Sequence, residues 1–201
     1  MKQESETKKK LLETALELIW QSSYGSVSVD DICTKAGVNK GSFYYAFKSK
    51  SDLAVAAYER YWETKRPWLD HTFSPQVPPL ERLHNYCQGI LTDQTSKYNS
   101  FGKVLGCPLC ALGSELSTQD ENIRKKVEQM SIRKAKYIEA LIRDLAAEGA
   151  IDSKNHLELA NEVQSYINGV LVQAKIENSL QALERLEQGI LRLLNVKLAS
   201  I

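Results

Sequence analysis

Long apolar runs are missing from this sequence. No stretch of about 18 apolar residues occurs in its 201 positions, so no transmembrane helix is implied. The first ten residues, MKQESETKKK, hold no apolar segment of the kind a signal peptide needs, and a cytoplasmic protein is expected. Cysteine is sparse: four residues, expected as thiols in a reducing compartment rather than as structural disulfides. Charge of one sign is lacking too. The formal net charge is +1, which argues against a protein that coats nucleic acid generally but leaves site-specific binding open, because local charge decides that. There is no G-x-G-x-x-G and no P-loop, so no cofactor is expected and the chain does not read as an enzyme. Hairpin signals, low-complexity tracts and internal repeats are also absent. Proline is rare, and three of the five prolines fall in one segment, TFSPQVPP over 72–79.

What is present is helical spacing. The most informative stretch is 26–53, SVSVDDICTKAGVNKGSFYYAFKSKSDL. Ser28 with Asp31 three residues on predicts a capping-box start with acid in the first turn. Val29, Ile32, Cys33 and Ala36 recur at helical spacing. Gly37 follows where a left-handed residue is wanted after a helix end, and Val38 can plug the angle between two helices. Asn39 is a good N-cap for a second short helix over about 40–47. Phe43 and Phe47, four apart, share its buried side, which leaves Lys40, Gly41, Ser42, Tyr44 and Tyr45 nearer the outside. Ser49 and Asp52 then predict the capped start of a long fourth helix. Two short helices joined by a glycine turn are the layout of a helix-turn-helix that enters the DNA major groove.

These residues resemble the N-terminal domain of TetR/AcrR-type transcriptional repressors. The usual pattern is a hydroxyl residue opening helix 2, then I-A-x-x-A-G-V-S-x-G-x-x-Y-x-H-F-x-x-K-x-x-L. Here it stands as Ile32-Cys33, Ala36-Gly37-Val38-Asn39, Gly41, Tyr44, Phe47, Lys50 and Leu53, within a match over roughly 8–55. Two positions depart from it: Ala46 replaces the frequent His, and Cys33 the usual Ala. The resemblance implies an all-α fold of about nine helices. It implies a three-helix DNA-binding domain over 1–61, with the start of helix 4, and a ligand-binding and dimerisation domain over 62–201.

The remaining sequence agrees with an all-α chain. Residues 7–23 and 50–65 carry apolar stripes, and Pro67 is expected to end or bend the fourth helix. Further helices are expected near 79–99, 108–117, 120–148, 154–178 and 180–198, with Gly149 stopping one of them. The last two carry strong apolar stripes: Leu157, Ala160, Val163, Ile167, Val170, Leu171 and Ala174, then Leu180, Leu183, Leu186, Ile190, Leu193, Leu194 and Leu198. Two such helices from each subunit can close a four-helix bundle. A homodimer is therefore expected, with recognition helices about 34 Å apart or somewhat more and a double-stranded, inverted-repeat operator. Packing of both stripes within one subunit is the alternative.

Residue chemistry assigns roles on the DNA side. Ser28 and Ser42 can donate to phosphate oxygens, and Lys48 and Lys50 can neutralise them. Tyr44 and Tyr45 can pack a ring on sugar or thymine methyl while the hydroxyl reaches phosphate. Lys40 is the candidate for guanine, and Gly41 lets the backbone approach closely. Residues 1–10 read as an arm that can lie along phosphates, or as a solvated helix start.

A second motif is Gly106-Cys107-Pro108-Leu109-Cys110. A redox C-x-x-C needs a βαβ setting and a zinc half-site needs a second ligand pair; Cys33, Cys87, His71, His84 and His156 do not form one, so no metal is expected. The stretch is similar to a G-C-x-x-G-x-L-x-x-E segment of some TetR-type repressors, through Gly106, Cys107, Leu112 and Glu115, with Cys110 in the place of the second Gly. Cys107 is either a thiol that senses electrophiles or oxidants, helped by the helix that starts at Pro108, or a small hydrophobe packed beside a cavity. Trp68, Tyr86, Tyr137 and Tyr166 are candidates to line an effector site, with Gln164 and Asn168 as further polar groups. Function is thus expected to be a ligand- or redox-responsive repressor. A thiol-dependent oxidoreductase on Cys107 and Cys110, or a helical interaction protein without DNA activity, are the alternatives.

Overall fold

Ser5, Ser28, Asn39 and Asn155 each place a side-chain oxygen on the backbone N–H three residues ahead. An N-terminal turn leaves its first N–H groups without intrahelical acceptors, and these four side chains supply one. Four helices therefore begin where the sequence offers a cap. The computed structural model describes residues 5–197, so residues 1–4 of the expected arm, and Leu198, lie outside the described residues.

Among the described residues there are ten helices and no strand. They are α1 (Glu6–Gln21), α2 (Val29–Ala36), α3 (Lys40–Ala46), α4 (Lys50–Thr72), α5 (Pro79–Phe101), α6 (Pro108–Leu116), α7 (Glu121–Ala147), α8 (His156–Glu177), α9 (Gln181–Glu184) and α10 (Leu186–Leu193). None of them is long and apolar enough to cross a membrane.

Two expectations about helix ends need correction. Pro67 does not end α4, which runs five residues further to Thr72. Proline removes one N–H, and the acceptor it deprives is the carbonyl of Glu63; both residues are exposed, so water can serve that carbonyl. The expected helix over 180–198 is two pieces, parted at Arg185, whose φ of −103° and ψ of 7° lie off the helical values.

The chain divides into two compact units. The first comprises residues up to Lys65 and Pro108–Met130. Its core is Leu11 and Ala15 of α1, Ile32 of α2, Phe43 of α3, Leu53 of α4 and Leu112 of α6, none more than 1% exposed. Fully burying side chains of this size contributes about 1.5–3 kcal/mol each, which fixes the short helices α2 and α3 that would not persist alone.

The second unit comprises Arg66–Cys107 and residues from Ser131 onward. Ile138, Ile142, Ile167, Ala174, Leu186 and Ile190 are at most 1% exposed in it. Most of the apolar stripe on α8 is thus already buried within the subunit, as are Leu183 and Leu194. The apolar residues α8 leaves in solvent are Leu157, Val172 and Ile176, at 50%, 43% and 72%. Arg82, 4% exposed, is compensated by Asp144 at 2.5 Å and by the Val77 carbonyl at 2.6 Å.

Candidate nucleic-acid interface and effector region

The recognition geometry is built from local rules. Ser28 closes a full capping box: its hydroxyl accepts from the Asp31 N–H at 3.1 Å, and the Asp31 carboxylate accepts from the Ser28 N–H at 2.8 Å. The Ser28 hydroxyl also donates to that carboxylate at 2.6 Å, and this bond first, then the one from the Ser28 N–H, holds the Asp31 carboxyl below the usual carboxylate range. Gly37 ends α2 with φ +66°, a left-handed conformation that favours glycine, and turns the chain into Asn39. The Asn39 side chain accepts from the Ser42 N–H at 2.8 Å and starts α3.

Helix α3 presents two faces. Phe43 is 0% and Phe47, just past its end, 7% exposed; their rings lie 6.1 Å apart. On the other side Tyr44 is 59% and Tyr45 95% exposed, beside exposed Lys40, Gly41 and Lys48 and half-buried Ser42. Two neighbouring large aromatics this open to solvent form an exposed apolar surface of the kind that contact sites present. Tyr44 is steadied edge-on by the Phe43 ring, with centroids 5.0 Å apart, whereas Tyr45 stands clear.

Lys40 and Lys50 differ from the simple picture of two phosphate ligands. The Lys40 ammonium is 2.7 Å from the Asp30 carboxylate, and that hydrogen bond raises its pKa. Lys50 points into the protein. Its ammonium donates to the carbonyls of Tyr24 and Val27, both at 2.8 Å, and lies 3.9 Å from the centre of the Tyr24 ring. Burial lowers its pKa. Asp30, and the loop acceptors of Lys50, went unnoticed in the sequence. Asp30 and Lys40 are ten positions apart on different helices, so helical spacing carries no sign of the pair.

In the second unit, an aromatic cluster joins α4 to α5 and α7. Trp68 stacks on Tyr86 at 5.7 Å, and Phe73 meets Tyr86 at 4.9 Å and Tyr137 at 5.5 Å. The Tyr137 hydroxyl donates to Asp70; burial and this carboxylate push its pKa up to about 12. Tyr86 is buried, which raises its pKa, and both Lys134 and Cys107 lie within electrostatic range of its hydroxyl. Tyr166 lies elsewhere, its ring filling the space that a side chain at Gly189 would need. Gln164, 7% exposed, donates to the Ser131 hydroxyl at 2.5 Å, while its own carbonyl oxygen has no partner.

Cys107 is preceded by a rigid backbone element. Gly106 has φ +67°, and the Gln94 side chain closes on it twice: the Gly106 N–H donates to the Gln94 oxygen at 2.8 Å, and the Gln94 amide donates to the Gly106 carbonyl at 3.2 Å. The four cysteines form no disulfide. Cys33 and Cys87 are buried, whereas Cys107 and Cys110 are half-buried.

A capped helix-turn-helix with an exposed tyrosine face, followed by a larger helical segment, defines a DNA-binding regulator. The family model for "Bacterial regulatory proteins, tetR family" matches residues 11–57, and that for "Tetracyclin repressor-like, C-terminal domain" matches 79–190. The chain belongs to the TetR family of transcriptional regulators, which are not enzymes. It is 30% identical over 181 residues to an uncharacterized HTH-type transcriptional regulator in the lacX 3'region of Lactococcus lactis, covering 89% of this chain and 88% of that protein. It is 27% identical over 190 residues to the HTH-type transcriptional repressor NemR of Escherichia coli strain K12, covering 90% of each chain. The crystal structure of the reduced form of E. coli NemR has the same fold, with a TM-score of 0.81 at 23% identity over 96% of this chain and all of that one.

Proposed function

We propose that the chain is a dimeric repressor that binds an inverted-repeat operator through α3 and lets go when its larger domain takes up a small molecule or when Cys107 is modified. The observation that carries the reading is the two-faced α3, buried through Phe43 and open to solvent through Tyr44 and Tyr45. In this reading residues 1–61 are the reader. Ser28, Ser42 and Lys48 meet phosphates, Tyr44 and Tyr45 meet sugar or thymine methyl, and Lys40 reads a base with Gly41 giving clearance. Lys50 is moved from the phosphate set to the support of the reader, because its ammonium already donates to two backbone carbonyls, and Ser28, whose one hydroxyl proton goes to Asp31 at 2.6 Å, meets a phosphate only by giving up that bond.

Residues 62–201 serve as effector and dimerisation domain. Support for self-association comes from Leu157, Val172 and Ile176, apolar and exposed on α8, with open space around Gly169 on the same helix. Support for an effector comes from the Trp68–Tyr86–Tyr137 aromatic cluster and from the unpartnered oxygen of Gln164, which favour a largely apolar ligand bearing one hydrogen-bond donor. Support for a thiol switch comes from the half-buried Cys107 beside the Gln94-clamped Gly106. Repression rather than activation is the proposed direction because NemR, similar over 90% of its length, is named a repressor. A ligand or a modified thiol acts only as far as it favours the DNA-incompetent spacing of the two readers.

Selection of bound sequences from random DNA, with and without N-ethylmaleimide, tests the reading. Enrichment of an inverted repeat that disappears on alkylation supports both halves. No enrichment overturns the reader, and enrichment indifferent to alkylation of Cys107 removes the thiol switch.

A further inference from the structure

The loop between α1 and α2 is held by two opposite charges that act on its backbone. One carboxylate oxygen of Glu115 accepts from the Tyr24 N–H at 2.9 Å and the other from the Gly25 N–H at 2.6 Å. With the opposite charge, the Lys50 ammonium donates to the Tyr24 and Val27 carbonyls, both at 2.8 Å. Charge-assisted bonds of this kind are the strong ones, and here four of them fall on the segment 24–27. Ser23, just before it, and Ser26 add a mutual pair of N–H to hydroxyl bonds, each 3.2 Å. Val27 is 4% exposed, and the next residue is Ser28, the cap that starts α2.

Glu115 is not placed there for the benefit of its own helix. It sits in the last turn of α6, at the negative end of the helix dipole, where a carboxylate is disfavoured. Its partners are 90 and 91 positions away in the chain. A Cβ at Gly25 would lie 3.1 Å from a Glu115 oxygen, so the carboxylate would have to give by a few tenths of an ångström. Helix α6 is itself held firmly, because a Cβ at Gly113 would come within 2.9 Å of Val127, and the Tyr58 hydroxyl donates to the Pro108 carbonyl at 3.1 Å. Cys107 directly precedes Pro108, so seven residues, 108–114, lie between it and Glu115 in the chain.

We propose that Glu115 is a positioning residue for DNA recognition: by gripping the Tyr24–Gly25 backbone against Lys50 it sets where Ser28 and α2 stand, and so couples the placement of α6 to the reader. The proposal rests on the reader assignment above. Because Glu115 acts through the loop, its loss lowers affinity without changing the number of neutralised phosphates. The dependence of affinity on salt therefore keeps its slope.

The test uses the full-length chain and the sequence it enriches from random DNA. Operator affinity across a salt series and amide hydrogen exchange are measured for wild type, Glu115→Ala and Glu115→Gln. The expected result for Glu115→Ala is at least a tenfold loss of affinity with an unchanged salt slope and faster exchange over 22–28. Glu115→Gln, which keeps one acceptor oxygen and the same shape, recovers part of both and serves where the alanine variant fails to fold. Wild-type affinity and exchange in Glu115→Gln and Glu115→Ala overturn the proposal, as does a rise in affinity, which signals only the removal of a negative charge. A wild-type chain that enriches no sequence overturns the reader assignment, and this proposal with it.

Discussion

The Lys40 ammonium stands 2.7 Å from the Asp30 carboxylate, so the first residue of α3 is paired with an acid of the preceding helix in the absence of DNA. Both side chains are well exposed, at 59% and 62%, and such pairs contribute little to folding. If Lys40 reads a base as proposed, DNA must first share or displace Asp30. Asp30→Asn is expected to strengthen binding to random-sequence DNA about two- to fivefold, in line with the loss of one exposed pair, and to narrow the gap between operator and random DNA. Competition gel shifts at two salt concentrations measure this.

Tyr44 and Tyr45 separate contact from folding. Tyr44→Ala is expected to lower operator affinity by about 1–3 kcal/mol, the worth of one good contact. Its melting temperature falls slightly through loss of the edge-on Phe43 contact. Tyr45→Ala, at a position 95% exposed, leaves the melting temperature unchanged. Unaltered gel shifts together with a native circular dichroism spectrum for both variants would sink the assignment of this face.

Ser28→Ala removes the capping box of α2. The expected cost is about 1 kcal/mol in urea unfolding, with weaker operator binding if α2 positions α3 as proposed. The Asp31 carboxyl is held low by Ser28, so its contribution is present above the ordinary carboxylate pKa of about 3.9 and fades as pH falls through the lower folded value. The difference between wild type and Ser28→Ala should accordingly shrink in unfolding curves taken at about pH 3.

Gln94→Leu removes both bonds between the Gln94 side chain and the Gly106 backbone. A loss of about 1–3 kcal/mol in the unfolding free energy is expected from these two buried bonds. Gly106→Ala is expected to be at least as damaging. It forces a side chain into φ +67° and brings a Cβ within 3.1 Å of the Leu171 carbonyl.

The cysteines should divide into two pairs on alkylation. Cys33 and Cys87 are 4% and 3% exposed, and burial pushes the Cys87 thiol up to about 12, so neither reacts in the native state. Cys107 and Cys110 react first. Mass spectrometry after brief N-ethylmaleimide treatment checks the order, and a Cys107 that stays unmodified ends the thiol-switch reading.

Features that act over three or four residues are readable from chain order alone. The Ser28–Asp31 box, the left-handed Gly37, the Asn39 cap and the Phe43–Phe47 buried side are all local, and each stands in the structure where spacing puts it. Chain order suffices for them because a helix turn brings i and i+3 or i+4 together whatever lies around it. The all-α architecture and the family followed from those same residues. What the long side chains and apolar stripes meet depends instead on packing between distant segments. Lys50 reads as a phosphate ligand until the loop at Tyr24 and Val27 is folded against it, and Glu115 gains its purpose from backbone groups 90 residues away. The stripe on α8 looks like a subunit interface until neighbouring helices cover most of it, leaving Leu157, Val172 and Ile176 in solvent. Pro67 sits inside α4 because one lost hydrogen bond on an exposed face is cheaper than breaking a helix of 23 residues. In each case the deciding partner is far off in the chain, so its approach is set by packing and by the need to satisfy buried polar groups, and no periodicity records it.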